Sequence, residues 1–172
     1  MLKNPFIKFI ITFAVLVIIW FSFYENIYNL FENDIQRAIS IKLAQHSTYF
    51  VKIFGYTPIL DTTTDFVITS VEGNYINHGV WIGEPCNGLK VFGLFSIFII
   101  AFQGKWVHKL WYIPLGVFIL HIANAIRIAI LTIISAENPS ILNFNHNITF
   151  QILVYSIVFG LWYIWVNKYS KK

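Results

Sequence analysis

Charge is what this sequence is short of. Only 12% of its 172 residues are charged and 57% are hydrophobic, against roughly 25% and roughly 45–50% in a soluble domain. A chain this short cannot hide the excess in one globular interior, so lipid must solvate part of it. Cysteine is nearly absent: Cys86 stands alone, which excludes an intrachain disulfide framework. Cys86 with scattered histidines is not a zinc pattern, and no glycine-rich phosphate loop is present. No cofactor, no metal and no nucleic-acid partner are therefore expected. No repeat or low-complexity segment is visible. The length suits a single integral membrane domain over residues 1–172.

What is present is apolar length. Four runs approach or exceed the ~20 residues that cross a bilayer as helix: about 6–24, 88–107, 110–134 and 148–166. The first exceeds a usual signal-peptide core and ends in Phe21, Phe23 and Tyr24 rather than small residues, so it reads as a span. Aromatic residues make up 19% of the chain, many near the ends of these runs, as in interfacial belts. Four spans place both termini on one side, with Lys3, Lys8, Lys105, Lys109, Lys168, Lys171 and Lys172. The other side receives all eight acidic residues: Glu25, Glu32, Asp34, Asp61, Asp65, Glu72, Glu84 and Glu137. The lysine-only side is expected to be cytoplasmic. The fold class is thus an all-α membrane protein of about four spans with a large outer segment, about residues 25–87.

Within that segment Ile27, Phe31, Ile35, Ile39, Leu43, His46, Phe50 and Ile53 recur at spacings of three or four, which predicts an amphipathic helix closed by Gly55 and Pro58. Phe66–Val71 and Tyr75–Ile82 read as two short strands around Glu72-Gly73-Asn74, a small hairpin.

Three places break the apolar rule. Glu84-Pro85-Cys86-Asn87-Gly88-Leu89 puts the thiol at the mouth of the second span, where peptide dipoles and unpaired N–H groups favour a thiolate. The same residues also describe an ordinary turn and helix cap. His121, Asn124 and Arg127 fall on one broad face of the third span. An arginine at this depth must face protein or reach the interface, and such residues are functional by default. His146 lies in the short outer loop, about residues 135–147, with Asn147 and Thr149 as candidate helix caps before the fourth span. Hydropathy and lysines alone bring Cys86, Arg127 and His146 to the same outer face. A thiol, a base and a fixed cation are the parts of a cysteine acyl-transfer site.

Cys86-Asn87-Gly88-Leu89, Asn124-Ala125-Ile126-Arg127 and His146 ahead of the last span resemble, in order and spacing, the exosortase/archaeosortase family of membrane cysteine transpeptidases. The short length is similar to the compact Bacteroidetes form, exosortase F. The resemblance covers about residues 80–166. It implies Cys86 as nucleophile, Arg127 as essential cation and His146 as proton-transfer residue, with Asn87, Gly88, Asn124, Glu84 and His121 as supporting candidates. Asn87 departs from the small residue more often found after the cysteine. The family's substrates carry a C-terminal motif, a transmembrane stretch and a basic tail, cleaved at the outer face of the inner membrane and passed to a lipid or surface glycan acceptor. Two other readings remain at this point: a non-catalytic assembly factor for envelope polysaccharide or protein export, and an anion transporter using Arg127, for which four spans without a repeat are a poor frame. The orientation predicts that a membrane-impermeant maleimide labels Cys86 on intact cells. Labelling only after permeabilisation would contradict it.

Overall fold

The structure is a computed structural model, and it describes residues 4–30, 34–63, 67–72, 79–83 and 86–170. Its elements run α1 (Pro5–Leu30), α2 (Asp34–Ile53), β1 (Pro58–Asp61), β2 (Ile68–Val71), β3 (Val80–Trp81), α3 (Leu89–Ala101), α4 (Trp106–Glu137), a 3-10 turn, α5 (Leu142–Phe144), a π-helical turn (Asn145–Thr149), α6 (Phe150–Ile164) and a second π-helical turn (Trp165–Tyr169). This is an all-α membrane protein with a small antiparallel sheet.

Among the described residues three helices are long and apolar enough to cross a membrane: Pro5–Asn26, Trp106–Glu137 and the run Pro139–Tyr169. The second apolar run differs from its expected length. Its helix, α3, has 13 residues, or about 20 Å against a hydrocarbon core of about 30 Å. It stops because Gly104 turns the chain at φ 148° and Lys109 reaches back to cap it. The Lys109 Nζ donates to the carbonyls of Ile100 and Phe102, both at 2.7 Å. Those are orphan acceptors of a helix end, and they satisfy a cation that is otherwise buried. α4 has 32 residues, about 48 Å, and so exceeds a bilayer as its long apolar run suggested.

The chain divides into two compact units. One comprises Met1–Glu32, Leu89–Leu120 and Ser156–Lys172. Its core is built from Phe95, Ile99, Tyr112, Leu120, Val158 and Trp165. Phe98 stacks on Trp162 with ring centroids 4.2 Å apart, and Phe9 packs edge-on against Phe98 and Phe102. Tyr112 Oη donates to the Leu161 carbonyl at 2.7 Å, which gives a buried phenol its partner. Two glycines let rings approach the backbone: the Trp20 indole lies against Gly93, and the Phe95 ring against Gly116. Close backbone approach through small residues is the usual way to join helices where lipid supplies no hydrophobic drive.

The other unit comprises Asn33–Gly88 and His121–Tyr155. α2 ends as expected at Gly55, whose φ is 87°. Gly55 N bonds Lys52 O and Tyr56 N bonds Val51 O, the paired bonds of a left-handed helix stop. Its start differs: a three-and-four spacing continues from α1 into α2 without marking the break, so Ile27 belongs to α1 and Phe31 lies outside the described residues. The expected hairpin is a three-stranded sheet in the order β1-β2-β3. Pro58 pairs with Val71 and Asp61 with Ile68, while Ile68 also pairs with Trp81. Pro58 opens an edge strand, where its missing N–H costs no ladder bond, so a residue read as a helix stop also begins a strand. The turn expected at Gly73-Asn74 lies outside the described residues.

Apolar residues of α2 do not simply coat a surface. Leu43 and Ala44 pack with Val67, Ile82, Cys86, Ala125 and Ile128. Val51 packs with Val71 and Ala129, and Val80 with Leu131 and Phe150. Thr69 and Thr132 share a buried hydroxyl contact at 2.8 Å, with Thr132 Oγ1 also donating to Ile128 O at 2.8 Å. The sheet and α2 therefore enclose the C-terminal half of α4.

Gly93→Ala would set a methyl group 2.2 Å from the Trp20 ring, whereas nothing lies within 4 Å of that position at Gly160. Gly93→Ala is expected to cost about 1–3 kcal/mol and to lower the unfolding midpoint in detergent, with Gly160→Ala unchanged. Equal midpoints for the two variants would contradict the packing described.

Candidate functional site

The segment Cys86–Gly88 joins the sheet to α3, and its conformation is set by residues on both sides of it. Cys86 N donates to Gly83 O at 3.0 Å. Gly88 sits at φ 84°, in the left-handed region that disfavours any side chain. Cys86 O accepts from Asn124 Nδ2 of α4 at 2.7 Å. Asn87 turns its amide inward, where Nδ2 donates to Gln36 Oε1 of α2. The thiol is itself buried, at 5% exposure, and is the chain's free cysteine.

Opposite the thiol stands His146. Its Nε2 lies 3.4 Å from Cys86 Sγ, within hydrogen-bond reach of sulfur. The other ring nitrogen, Nδ1, is 3.0 Å from Asn147 Oδ1. In the neutral tautomer that donates from Nδ1 to this amide oxygen, the Nε2 lone pair faces the thiol. The order thiol, imidazole, orienting acceptor is that of a nucleophile with its base. His146 is not in a loop as the sequence suggested. It belongs to the π-helical turn Asn145–Thr149, continuous with α6. A π-turn re-aims side chains within a helix and is common at functional sites. Because the helix runs through, Asn147 has no helix start to cap and serves the imidazole instead.

Arg127 is brought to the site through Asn124. Its Nη1 donates to Asn124 Oδ1 at 3.5 Å, one helical turn away on the same face of α4. Arg127 is 8% exposed, and its Nε has no hydrogen-bond partner among the described residues. A buried guanidinium with a spare donor is costly on its own and becomes favourable when an anion or carbonyl oxygen arrives. The cysteine's own N–H is engaged with Gly83, and Arg127 Nε is a spare donor on the same helix whose Asn124 holds the Cys86 carbonyl.

The remaining candidates separate. Asn124 and Gly88 lie at the turn, and Asn87 is tied to Gln36 through the side-chain amide that could otherwise have reached an oxyanion. Glu84 lies outside the described residues. His121 pairs with His46 of α2, Nε2 to Nδ1 at 2.8 Å, ring edge to ring face. Sequence reasoning passed over three participants. Gln36 is one polar residue among several on an amphipathic helix, Asn147 reads as a cap, and His46 sits in the apolar phase of α2. The adjacency of Asn147 to His146 was the one usable signal. Away from the thiol, Tyr56 Oη donates to Glu137 Oε1. That bond, with lesser help from burial and the carboxylate's charge, raises the Tyr56 phenol above its usual range.

Among the described residues no group of three or more histidine, cysteine, aspartate or glutamate side chains is arranged to hold a metal ion. No curated protein and no solved structure matches the chain. A family profile does: that of the transmembrane exosortases (Exosortase_EpsH), over residues 6–166. With nearly the whole chain matched, and with a membrane-helix frame around it, this protein belongs to the transmembrane exosortase family.

Proposed function

We propose that this protein is a membrane-embedded cysteine peptidase and transpeptidase acting on exported proteins that end in a short motif, a transmembrane stretch and a basic tail. The observation that carries the reading is the 3.4 Å approach of His146 Nε2 to Cys86 Sγ, in a turn that Asn124 fastens to the arginine-bearing helix. Membership of the exosortase family supports the same chemistry.

The steps follow from the groups present. His146 takes the Cys86 proton, and the sulfur attacks the scissile carbonyl to form a tetrahedral intermediate. Arg127 stabilises the oxyanion in a site shielded from water, where a fixed cation is worth most. His146 then gives the proton to the departing amine, which leaves with the transmembrane stretch and tail. The thioester that remains is attacked by an amine or hydroxyl of a lipid or surface glycan acceptor, or by water. His146 takes that proton, and the thiol is restored. No step needs a cofactor.

The segregation of charge supports a cytoplasmic-membrane protein with this chemistry at the outer face. All eight acidic residues, with Cys86 and His146, lie in segments opposite the lysine-only ends. A substrate already tethered in the same membrane needs no soluble recognition domain, because tethering raises its effective concentration.

Cys86→Ala, co-expressed with a candidate substrate bearing the tripartite tail, is expected to abolish processing, with the full-length precursor accumulating in the membrane. Continued processing in that variant would leave the chain as a non-catalytic assembly factor.

A further inference from the structure

The contact between Gln36 and Asn87 has no part in the chemistry above, yet it bears on the residue next to the nucleophile. Asn87 is 1% exposed, and a buried amide must be hydrogen-bonded. Its Nδ2 donates to Gln36 Oε1, from the first turn of α2. That turn is itself anchored. Arg37, the next residue, donates from Nη2 to Thr62 O at 2.6 Å, and one to two turns on, Leu43 and Ala44 pack in the cluster that contains Cys86 and Ala125.

We propose that Gln36 is a positioning residue: it fixes the Cys86–Gly88 turn so that the thiol stays on His146. The inference rests on the reading of Cys86 as nucleophile. The backbone of Cys86 donates from N to Gly83 O and accepts at O from Asn124 Nδ2. Gly88 follows Asn87 at φ 84°, a conformation that glycine adopts without strain. The Asn87 amide adds an attachment from a different element, α2. Attachments from the sheet side, α4 and α2 thus converge on this turn and hold its orientation. Displacements of about an ångström at a reacting atom already cost large factors in rate. α2 is then part of the site's support.

The test uses the full chain in detergent or proteoliposomes and the second-order rate of Cys86 alkylation by iodoacetamide, which requires no substrate. Gln36→Met keeps the side-chain volume and removes the acceptor. It is expected to slow alkylation about tenfold, the order expected for one buried hydrogen bond whose partner is left unsatisfied. Gln36→Glu keeps the acceptor and is expected to stay within about twofold to threefold of wild type. Asn87→Leu should also slow alkylation, and the double variant should be slowed by less than the product of the two single effects, the signature of a shared contact. In a His146→Ala background Gln36→Met should have no further effect, which a merely stabilising role would not produce. If Gln36→Met does not fold, Gln36→Asn, whose shorter amide stops short of Asn87, takes its place.

A folded Gln36→Met protein with the wild-type rate overturns the proposal, as do effects of Gln36→Met and Asn87→Leu that multiply. Failure of the enzymatic reading is separate. It shows as substrate processing in Cys86→Ala, whatever the alkylation rates.

Discussion

Asn124 is the side chain on which the rest of the site depends. Its amide spans two elements: Nδ2 holds the carbonyl of Cys86, and Oδ1 takes the Arg127 guanidinium. An asparagine within a membrane helix is costly unless both ends of its amide are used, and here each has a partner. Polar side-chain contacts inside membrane proteins are worth about 0.6–2 kcal/mol. Their larger effect is on geometry. Asn124 holds the carbonyl of the thiol-bearing turn, and α4 carries Arg127 one helical turn beyond Asn124. The π-helical turn at Asn145–Thr149 then aims His146 at the sulfur from the helix that follows.

Two buried cations show how differently such a charge can be handled. Lys109 donates to two carbonyls at the end of α3 and closes that helix. Arg127 makes one long bond to Asn124 and keeps Nε without a partner among the described residues. The first arrangement is complete in itself and acts as a structural cap. The second leaves a buried donor that an arriving anion or carbonyl oxygen could satisfy.

Much of this was readable beforehand because the sequence carries strong periodic and compositional signals. Apolar length marked the three helices long enough to cross a membrane, the Gly55 stop marked the end of α2, and Cys86, Arg127 and His146 stood out as breaks in the apolar pattern. What escaped depends on contacts that no local pattern encodes. The 13-residue length of α3 follows from a lysine nine residues beyond Ile100. The third strand follows from pairing of Pro58–Asp61 with residues ten or so further on. His146 reads as a loop residue because Pro139 and Asn138 signal a break, although the chain resumes helix immediately and passes through a π-turn. Gln36, Asn147 and His46 acquire meaning only from partners in space. Among the histidines, the family resemblance implies His146 as the proton-transfer residue and His121 only as a supporting candidate. The structure pairs it with His46 and sets His146 against the thiol.

The division of roles between the two histidines is open to direct test. Alkylation rates of Cys86 at neutral pH, compared among wild type, His146→Ala and His121→Ala, decide it directly. A base at hydrogen-bond distance is expected to matter by at least about tenfold, so His146→Ala should slow the reaction by that much while His121→Ala stays within about twofold. An unchanged rate in His146→Ala, or the larger loss in His121→Ala, would contradict the pairing of Cys86 with His146 as nucleophile and base.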